Sequence, residues 1–301
     1  MNDFIASIDF GSNTFIVSIL QCDENEKIIV VDEKIFYVRI SEGMTTDLMI
    51  LDHKMSLAIS IVKSIQSFLQ TYNVEKIIAV ATGAFREAIN GKEVCLKMEK
   101  ELNAPINIIK GNQEAMLSLK SALFSRDSAF AVDIGGRSTE CVFGNKKTVI
   151  LAESFGLGSV KIKEMYFKQI PVNCESLADA ERHCRLVLNT LAQYNVDEVV
   201  GISGLPITLA CMDSIEKIGR MKIHEWKLEY DVICKYFKVF AQSSIDQICN
   251  IPGVDKHRAD LMLSGTLILK EIMSILKAKT CIVCQYGIRH SAPLIFHQQV
   301  P

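Results

Sequence analysis

No apolar run in this chain reaches membrane length. The longest candidate, residues 261–276, is interrupted by Lys270 and Glu271 and predicts a core helix instead. Basic charge is not in excess: 33 Lys and Arg face 35 Asp and Glu, a formal net charge of −2. That excludes a global field for nucleic acid, so a polyanionic ligand must be gripped by a few local side chains. No Pro/Gly/Ser-rich stretch tethers two halves, and a hinge is expected instead. With 49% hydrophobic and 23% charged residues, no long segment is apolar-poor enough to stay disordered. Met1-Asn2-Asp3-Phe4 carries no basic stretch and leads straight into a strand, so no signal peptide is expected. The expectation is a reduced, cytoplasmic protein with no membrane partner.

The 10 cysteines lie mostly in apolar stretches, where cysteine acts as a small hydrophobe. Cys281-Ile282-Val283-Cys284 has CxxC spacing. It lacks a second CxxC or a nearby His, and its context is a strand. Buried structural thiols are the favoured reading over a metal or redox pair.

What the chain has is alternation. Residues 4–10, 14–22 and 27–31 predict strands around a Gly11-Ser12-Asn13 turn. Residues 52–69 show helical spacing, with Asp52 at the N-cap or in the first turn. Strands at 76–81 and 106–110 alternate with helices at 92–102 and 112–124. The pattern then restarts: strands at 129–134, 138–143, 147–153 and 198–202, helices at 160–168, 176–194, 228–240 and 259–276, a strand at 280–284, and a short helix after Gly287. This is α/β architecture with 301 residues, enough for two domains.

Ile8-Asp9-Phe10-Gly11-Ser12-Asn13-Thr14 aligns with Val132-Asp133-Ile134-Gly135-Gly136-Arg137-Ser138. A Gly-rich hairpin turn exposes successive backbone N–H groups to an anion, and the hydroxyls of Ser12, Thr14, Ser138 and Thr139 can add donors. An Asp beside such a turn makes sense if it holds Mg²⁺ next to phosphate. One unit alone reads more readily as a plain hairpin; two matched units argue for phosphate.

The chain resembles the exopolyphosphatase/guanosine pentaphosphate phosphohydrolase family of the actin-like superfamily over nearly its whole length. The resemblance is carried by the opening Ala6-Ser7-Ile8-Asp9-Phe10-Gly11-Ser12-Asn13-Thr14-Phe15, by Ala81-Thr82-Gly83-Ala84-Phe85-Arg86-Glu87-Ala88, and by Gly111-Asn112-Gln113-Glu114-Ala115. It continues in Asp133-Ile134-Gly135-Gly136-Arg137-Ser138-Thr139-Glu140, Gly156-Leu157-Gly158-Ser159-Val160 and His257-Arg258-Ala259-Asp260. It implies two actin-like (ribonuclease H-like) domains, 1–116 plus 287–301 and 117–286, with a phosphate-binding cleft between them. The implied substrates are inorganic polyphosphate or guanosine pentaphosphate.

The same resemblance places the general base at Glu114 and an active-site arginine at Arg86. It assigns phosphate contacts to Gly11, Ser12, Asn13, Gly135, Gly136, Arg137, Ser138 and Thr139. Mg²⁺, or another divalent cation, falls to Asp9, Asp133 and Glu140, with Asp133 and Glu140 alternatively orienting the attacking water. Each has a bland counterpart: Glu114 is also a first-turn helix acid, Arg86 a surface arginine paired with Glu87 or Glu42, and Glu140 an ordinary strand residue. Lys161, Lys163, Arg258 and Arg289 are weaker phosphate candidates.

Three departures stand out. Arg137 occupies a position where the family usually has a third glycine. Gly201-Ile202-Ser203-Gly204-Leu205-Pro206 offers few donors for a nucleotide. The chain ends at Pro301 without the histidine–aspartate hydrolase-like domain of long family members, which leads to an expected preference for short chains. The competing readings are a non-catalytic phosphate-ligand sensor, which Arg137 favours, and an ATP-dependent kinase or ATPase, which the 201–206 segment disfavours. A homodimer is compatible with the sequence, which does not decide the oligomeric state.

Overall fold

The computed structural model describes residues 4–22, 28–44, 47–219 and 221–296. The expectations for residues 1–3, for Lys27 as a strand start and for 297–301 in the first domain lie outside these residues, as does the side chain of Cys22. The chain divides into two compact units, Met1–Leu117 with Ile288–Pro301, and Ser118–Gly287.

Unit 1 contains β1 (Phe4–Phe10), β2 (Thr14–Cys22), β3 (Ile28–Tyr37), α1 (Asp52–Leu69), β4 (Val74–Ala81), α2 (Gly83–Glu87), α3 (Gly91–Leu102), β5 (Ile106–Ile108) and the start of α4 (Gly111–Ala122). Unit 2 follows with β6 (Ser128–Ile134), β7 (Thr139–Asn145), β8 (Val149–Phe155), α5 (Ser159–Tyr166), α6 (Cys174–Val187) and β9 (Glu198–Ile202). It continues through α7 (Gly204–Ile218), β10 (Lys227–Glu229), α8 (Tyr230–Gln242), α9 (Ile245–Cys249), α10 (Met262–Leu276) and β11 (Thr280–Val283). The last helix, α11 (Ile288–Phe296), belongs to unit 1.

The two sheets repeat one design. Unit 1 runs β3-β2-β1-β4-β5, and unit 2 runs β8-β7-β6-β9-β11-β10, the same order with one added strand. The hairpins match residue for residue. Asp9 lies opposite Ile16 and Phe10 opposite Phe15; Asp133 lies opposite Glu140 and Ile134 opposite Thr139. Even the irregularity recurs, between Ile19 and Leu20 in one unit and between Phe143 and Gly144 in the other. Such bulges twist an edge strand away from pairing with other chains.

In unit 1, alternation along β1 sends Ala6, Ile8 and Phe10 into a core with Ala58, Val62 and Ile65 of α1 and Val94 and Met98 of α3. Ile5 packs on the other face with Ile78, Val80, Ile288 and Ala292. A strand buried on both faces reads as a near-continuous apolar run, as 4–10 does. In α1 the buried residues Ala58, Val62, Ile65 and Leu69 form the predicted stripe, and Asp52 is the first-turn acid while Leu51 is the N-cap. In unit 2, α10 packs against α5, α6, α7 and α8. That accounts for a helix that is apolar nearly all round.

Several expected elements differ. Residues 176–194 are not one helix: α6 ends at Val187 and a 3₁₀ turn, Asn189–Gln193, follows. Another 3₁₀ turn, Lys256–Leu261, precedes α10. The helix α7 was not anticipated, because Gly201, Ser203, Gly204 and Pro206 punctuate its start. Pro206 falls in its first turn, where the missing N–H would be unpaired in any case. The short elements β10 and α9 also escaped the sequence. Among the described residues the cysteines are free thiols. Cys281 and Cys284 are buried, and burial pushes the Cys281 thiol up to about 12, consistent with a packing role. Among the described residues no helix is long and apolar enough to cross a membrane.

One ionic cluster ties α6 to α10. The buried Glu271 accepts from Arg185 Nε at 2.6 Å and from Lys270 Nζ at 2.6 Å, and Lys270 also reaches Glu181 at 2.9 Å. Burial alone would raise the Glu271 carboxyl. Arg185 and Lys270 outweigh burial and hold it below the ordinary carboxylate range. A depressed acid stabilises the fold above its unfolded pKa, and that contribution is lost as pH falls through the folded value. Glu271→Gln is therefore expected to cost about 2 kcal/mol near neutral pH, less than for a fully buried pair because Arg185 is largely exposed. In urea titrations the gap to wild type should close as pH drops below about 4.

Candidate active site

The carboxyl ends of the parallel strands β1, β4 and β5 share one edge of the first sheet: Phe10 aligns with Ala81, and Ala81 with Ile108. In open α/β sheets that edge is where ligands bind. The segments leaving it carry the Gly11-Ser12-Asn13 turn, Arg86 on α2 and Glu114 in the first turn of α4. These are linked. The Ser12 hydroxyl accepts from Ala84 N at 3.1 Å, at the start of α2. Arg86 Nη1 donates to Glu114 Oε2 at 2.7 Å and to Ile109 O at 3.0 Å. Gln113 reaches back to accept from Lys110 N at 2.9 Å, fixing the start of α4. Arg86 thus pairs with Glu114, and the carboxylate is held in one orientation at a buried position.

The turn itself is anchored by its carbonyls. Gly11 N donates to Thr14 O at 3.0 Å and closes it. Ser12 O accepts from Ser41 N at 3.2 Å, and Asn13 O accepts from Val38 N at 3.1 Å and Arg39 N at 2.8 Å. In a trans peptide the C=O and the following N–H point in opposite directions. Carbonyls tied into the protein therefore turn the Asn13 and Thr14 N–H groups the other way, side by side, as in an anion nest. Asn13 adds an amide side chain that is buried with neither Oδ1 nor Nδ2 hydrogen-bonded. A buried amide without partners is costly unless a ligand supplies them.

Unit 2 builds the same device with different bolts. Gly135 N donates to Ser138 O at 2.9 Å. Gly135 O accepts from Ser159 N at 2.9 Å, and Gly136 O from Val160 N at 2.9 Å and Lys161 N at 3.1 Å. The first turn of α5 is spent on these carbonyls, and the Gly136 and Arg137 N–H groups are turned away from it. Gly158 makes the approach feasible: a Cβ there would stand 2.4 Å from Gly136 C, Gly136 O and Arg137 N. Arg137 has no left-handed backbone, unlike Arg39, Leu48, Asn103, Ser203, Glu225 and Lys277, so it replaces the expected glycine without strain. Its side chain lies near Glu164 of α5, with Nη1 3.5 Å from Oε2.

The Thr139 hydroxyl has one proton, which goes to Leu157 O at 2.5 Å and braces the turn from behind. Asp133 and Glu140 lie directly opposite across β6 and β7, so their side chains share a face. Ser118 Oγ donates to Asp133 Oδ2 at 3.0 Å and Ser154 Oγ to Glu140 Oε1 at 2.7 Å. Two adjacent carboxylates repel, and their oxygens suit a hard divalent cation. Among the described residues no group of three His, Cys, Asp or Glu side chains is placed to hold a metal. Three of the four weaker candidates have structural partners. Lys163 pairs with Asp260, Arg289 forks onto Glu33 at 2.5 and 3.0 Å, and Arg258 lies against Gly204.

Ser41, Ser118, Ser154 and Glu164 were not anticipated. Only the Gly156–Ser159 spacing carried a visible signal, as a motif that the turn of unit 2 needs.

The model of the Ppx/GppA phosphatase family matches residues 18–294. A bifunctional 3-dehydroquinate synthase/phosphatase of Fusobacterium nucleatum is 27% identical over 90% of this chain and 43% of its own length. A Haemophilus influenzae protein named "Putative exopolyphosphatase" is 24% identical over 90% of this chain and 84% of its own. A guanosine-5'-triphosphate,3'-diphosphate pyrophosphatase of Pseudoalteromonas translucida is 26% identical over 88% and 53%. The chain thus spans about half the length of two of these three relatives. The PPX-GPPA enzyme of Aquifex aeolicus superposes with a TM-score of 0.78 at 27% identity, over 96% of this chain and 98% of that one. With the family model matching most of its length, on the same duplicated α/β frame, the chain belongs to the Ppx/GppA phosphatase family.

Proposed function

We propose that the protein hydrolyses a terminal phosphoric anhydride of inorganic polyphosphate or guanosine pentaphosphate, with Glu114 as general base. The observation that carries this is the arrangement in unit 1: an anchored Ser12–Asn13 nest joined through Ala84 to the helix bearing Arg86, which holds the Glu114 carboxylate. Substrate names come from the relatives, one named for polyphosphate and one for the guanosine nucleotide. The two units are the two actin-like domains of this reading, 1–116 plus 287–301 and 117–286.

The turn amides bind phosphate oxygens, joined by the Asn13 side chain, and fix the chain end. Glu114 takes a proton from a water whose oxygen attacks the terminal phosphorus in line. The bond to the bridging oxygen breaks, orthophosphate leaves, and the shortened chain keeps the bridging oxygen. Arg86 keeps one Glu114 oxygen occupied and so orients the other. Asp133 and Glu140 would hold a divalent cation, Mg²⁺ in this reading, whose charge would neutralise phosphate oxygens when bound. Their serine partners fix both carboxylates in place.

Phosphate release in the presence of Mg²⁺ from short and long polyphosphate, guanosine pentaphosphate and ATP tests this. Release is expected from the first three and little from ATP. Binding without release would make the protein a phosphate-ligand sensor instead.

A further inference from the structure

The second phosphate turn carries a cation, Arg137, and the cation has a counter-charge built on a neighbouring helix. Arg137 sits inside the Gly135–Ser138 turn with its side chain 3% exposed. Burying a guanidinium is costly unless a carboxylate compensates it. Glu164, 20% exposed, supplies a carboxylate, with Oε2 3.5 Å from Arg137 Nη1. Glu164 lies on α5, the helix whose first turn grips the Gly135 and Gly136 carbonyls. The same turn is therefore fastened to α5 at two heights. Backbone bonds hold it at Ser159, Val160 and Lys161, and the Arg137–Glu164 ion pair holds it about one helical turn further on.

We infer that Glu164 is a positioning residue: it compensates Arg137 and so sets the second phosphate turn, and the two residues form one coupled unit. This deepens the proposed function and rests on it. The requirement for Glu164 comes from Arg137, not from α5. Removing the acid alone leaves a buried cation without this counter-charge, which pulls the turn out of place. Removing both returns the site to a glycine turn that needs no counter-charge, so the second substitution repairs the first. That outcome is opposite to the one expected for two independently useful groups.

The test is a double-mutant cycle of Glu164→Ala and Arg137→Gly, reading KM and kcat separately on short polyphosphate. Glu164→Ala alone should raise KM about tenfold with kcat changed less than about twofold. Arg137→Gly alone should raise KM by a smaller factor, because the Glu164 carboxylate then stands near the polyanion without the Arg137 charge beside it. The double variant should return KM to within about threefold of wild type. Additive losses, or a loss confined to kcat, overturn the coupling. Should Glu164→Ala fail to fold, the double variant must fold, and an unfolded double variant overturns the inference equally. If the wild type releases no phosphate, the hydrolase reading has failed. Calorimetric binding of short polyphosphate to the same four proteins then reads the cycle on its own.

Discussion

Glu114→Gln is expected to lower kcat for phosphate release by about a thousandfold while KM stays within about threefold. The substitution keeps the shape of the side chain, and the amide oxygen still accepts from Arg86, which lies 2.7 Å from the carboxylate in the wild type. What it removes is the capacity to accept a proton from water. The binding groups, the amides of the Gly11–Thr14 turn and the Asn13 side chain, are untouched, so substrate affinity should hold. Rate and affinity falling together would mean that Glu114 acts on binding. Unchanged rate would return Glu114 to its bland role as a first-turn helix acid. Steady-state kinetics on a short polyphosphate decides among these, with circular dichroism confirming the fold.

The second large effect is structural in origin. Gly158→Ala should destabilise unit 2 by on the order of 3 kcal/mol and reduce kcat/KM by about a hundredfold. The added methyl would meet backbone atoms 2.4 Å away, at Gly136 and Arg137, and backbone cannot swing aside as a side chain can. Relief requires moving the turn away from α5, which stretches the bonds from Ser159, Val160 and Lys161 to the Gly135 and Gly136 carbonyls. The nest amides then rotate with their peptide planes. Thermal unfolding together with kcat/KM checks this. A stable and fully active Gly158→Ala would mean that the anchoring of this turn does not matter to catalysis.

Local patterns were legible in the chain and long-range partners were not. The stripe of α1 and the two hairpins could be read because each depends on a period or a turn within about a dozen residues. The helix α7 could not, since Gly, Ser and Pro are loop punctuation until Ser203, at φ +77, is seen turning the chain sharply out of β9. For the site, residue type was visible and bonding was not. Thr139 was visible as a hydroxyl, but its acceptor Leu157 O, eighteen positions away in sequence, was not. Arg86 was visible as a candidate from its motif, but its pairing with Glu114, twenty-eight positions on, was not. The anchoring of turn carbonyls by Ser41 and by the start of α5 left only the Gly156–Ser159 spacing as a trace.

The central claim is that Glu114 activates a water that cleaves a terminal phosphoric anhydride. The most direct measurement is the initial rate of ¹⁸O-labelled orthophosphate from short polyphosphate in ¹⁸O-enriched water, with Mg²⁺, for wild type and Glu114→Gln. The account predicts one solvent oxygen in each phosphate released by the wild type, and a rate lower by about a thousandfold in the variant. Unlabelled phosphate, or a variant as fast as the wild type, would contradict it.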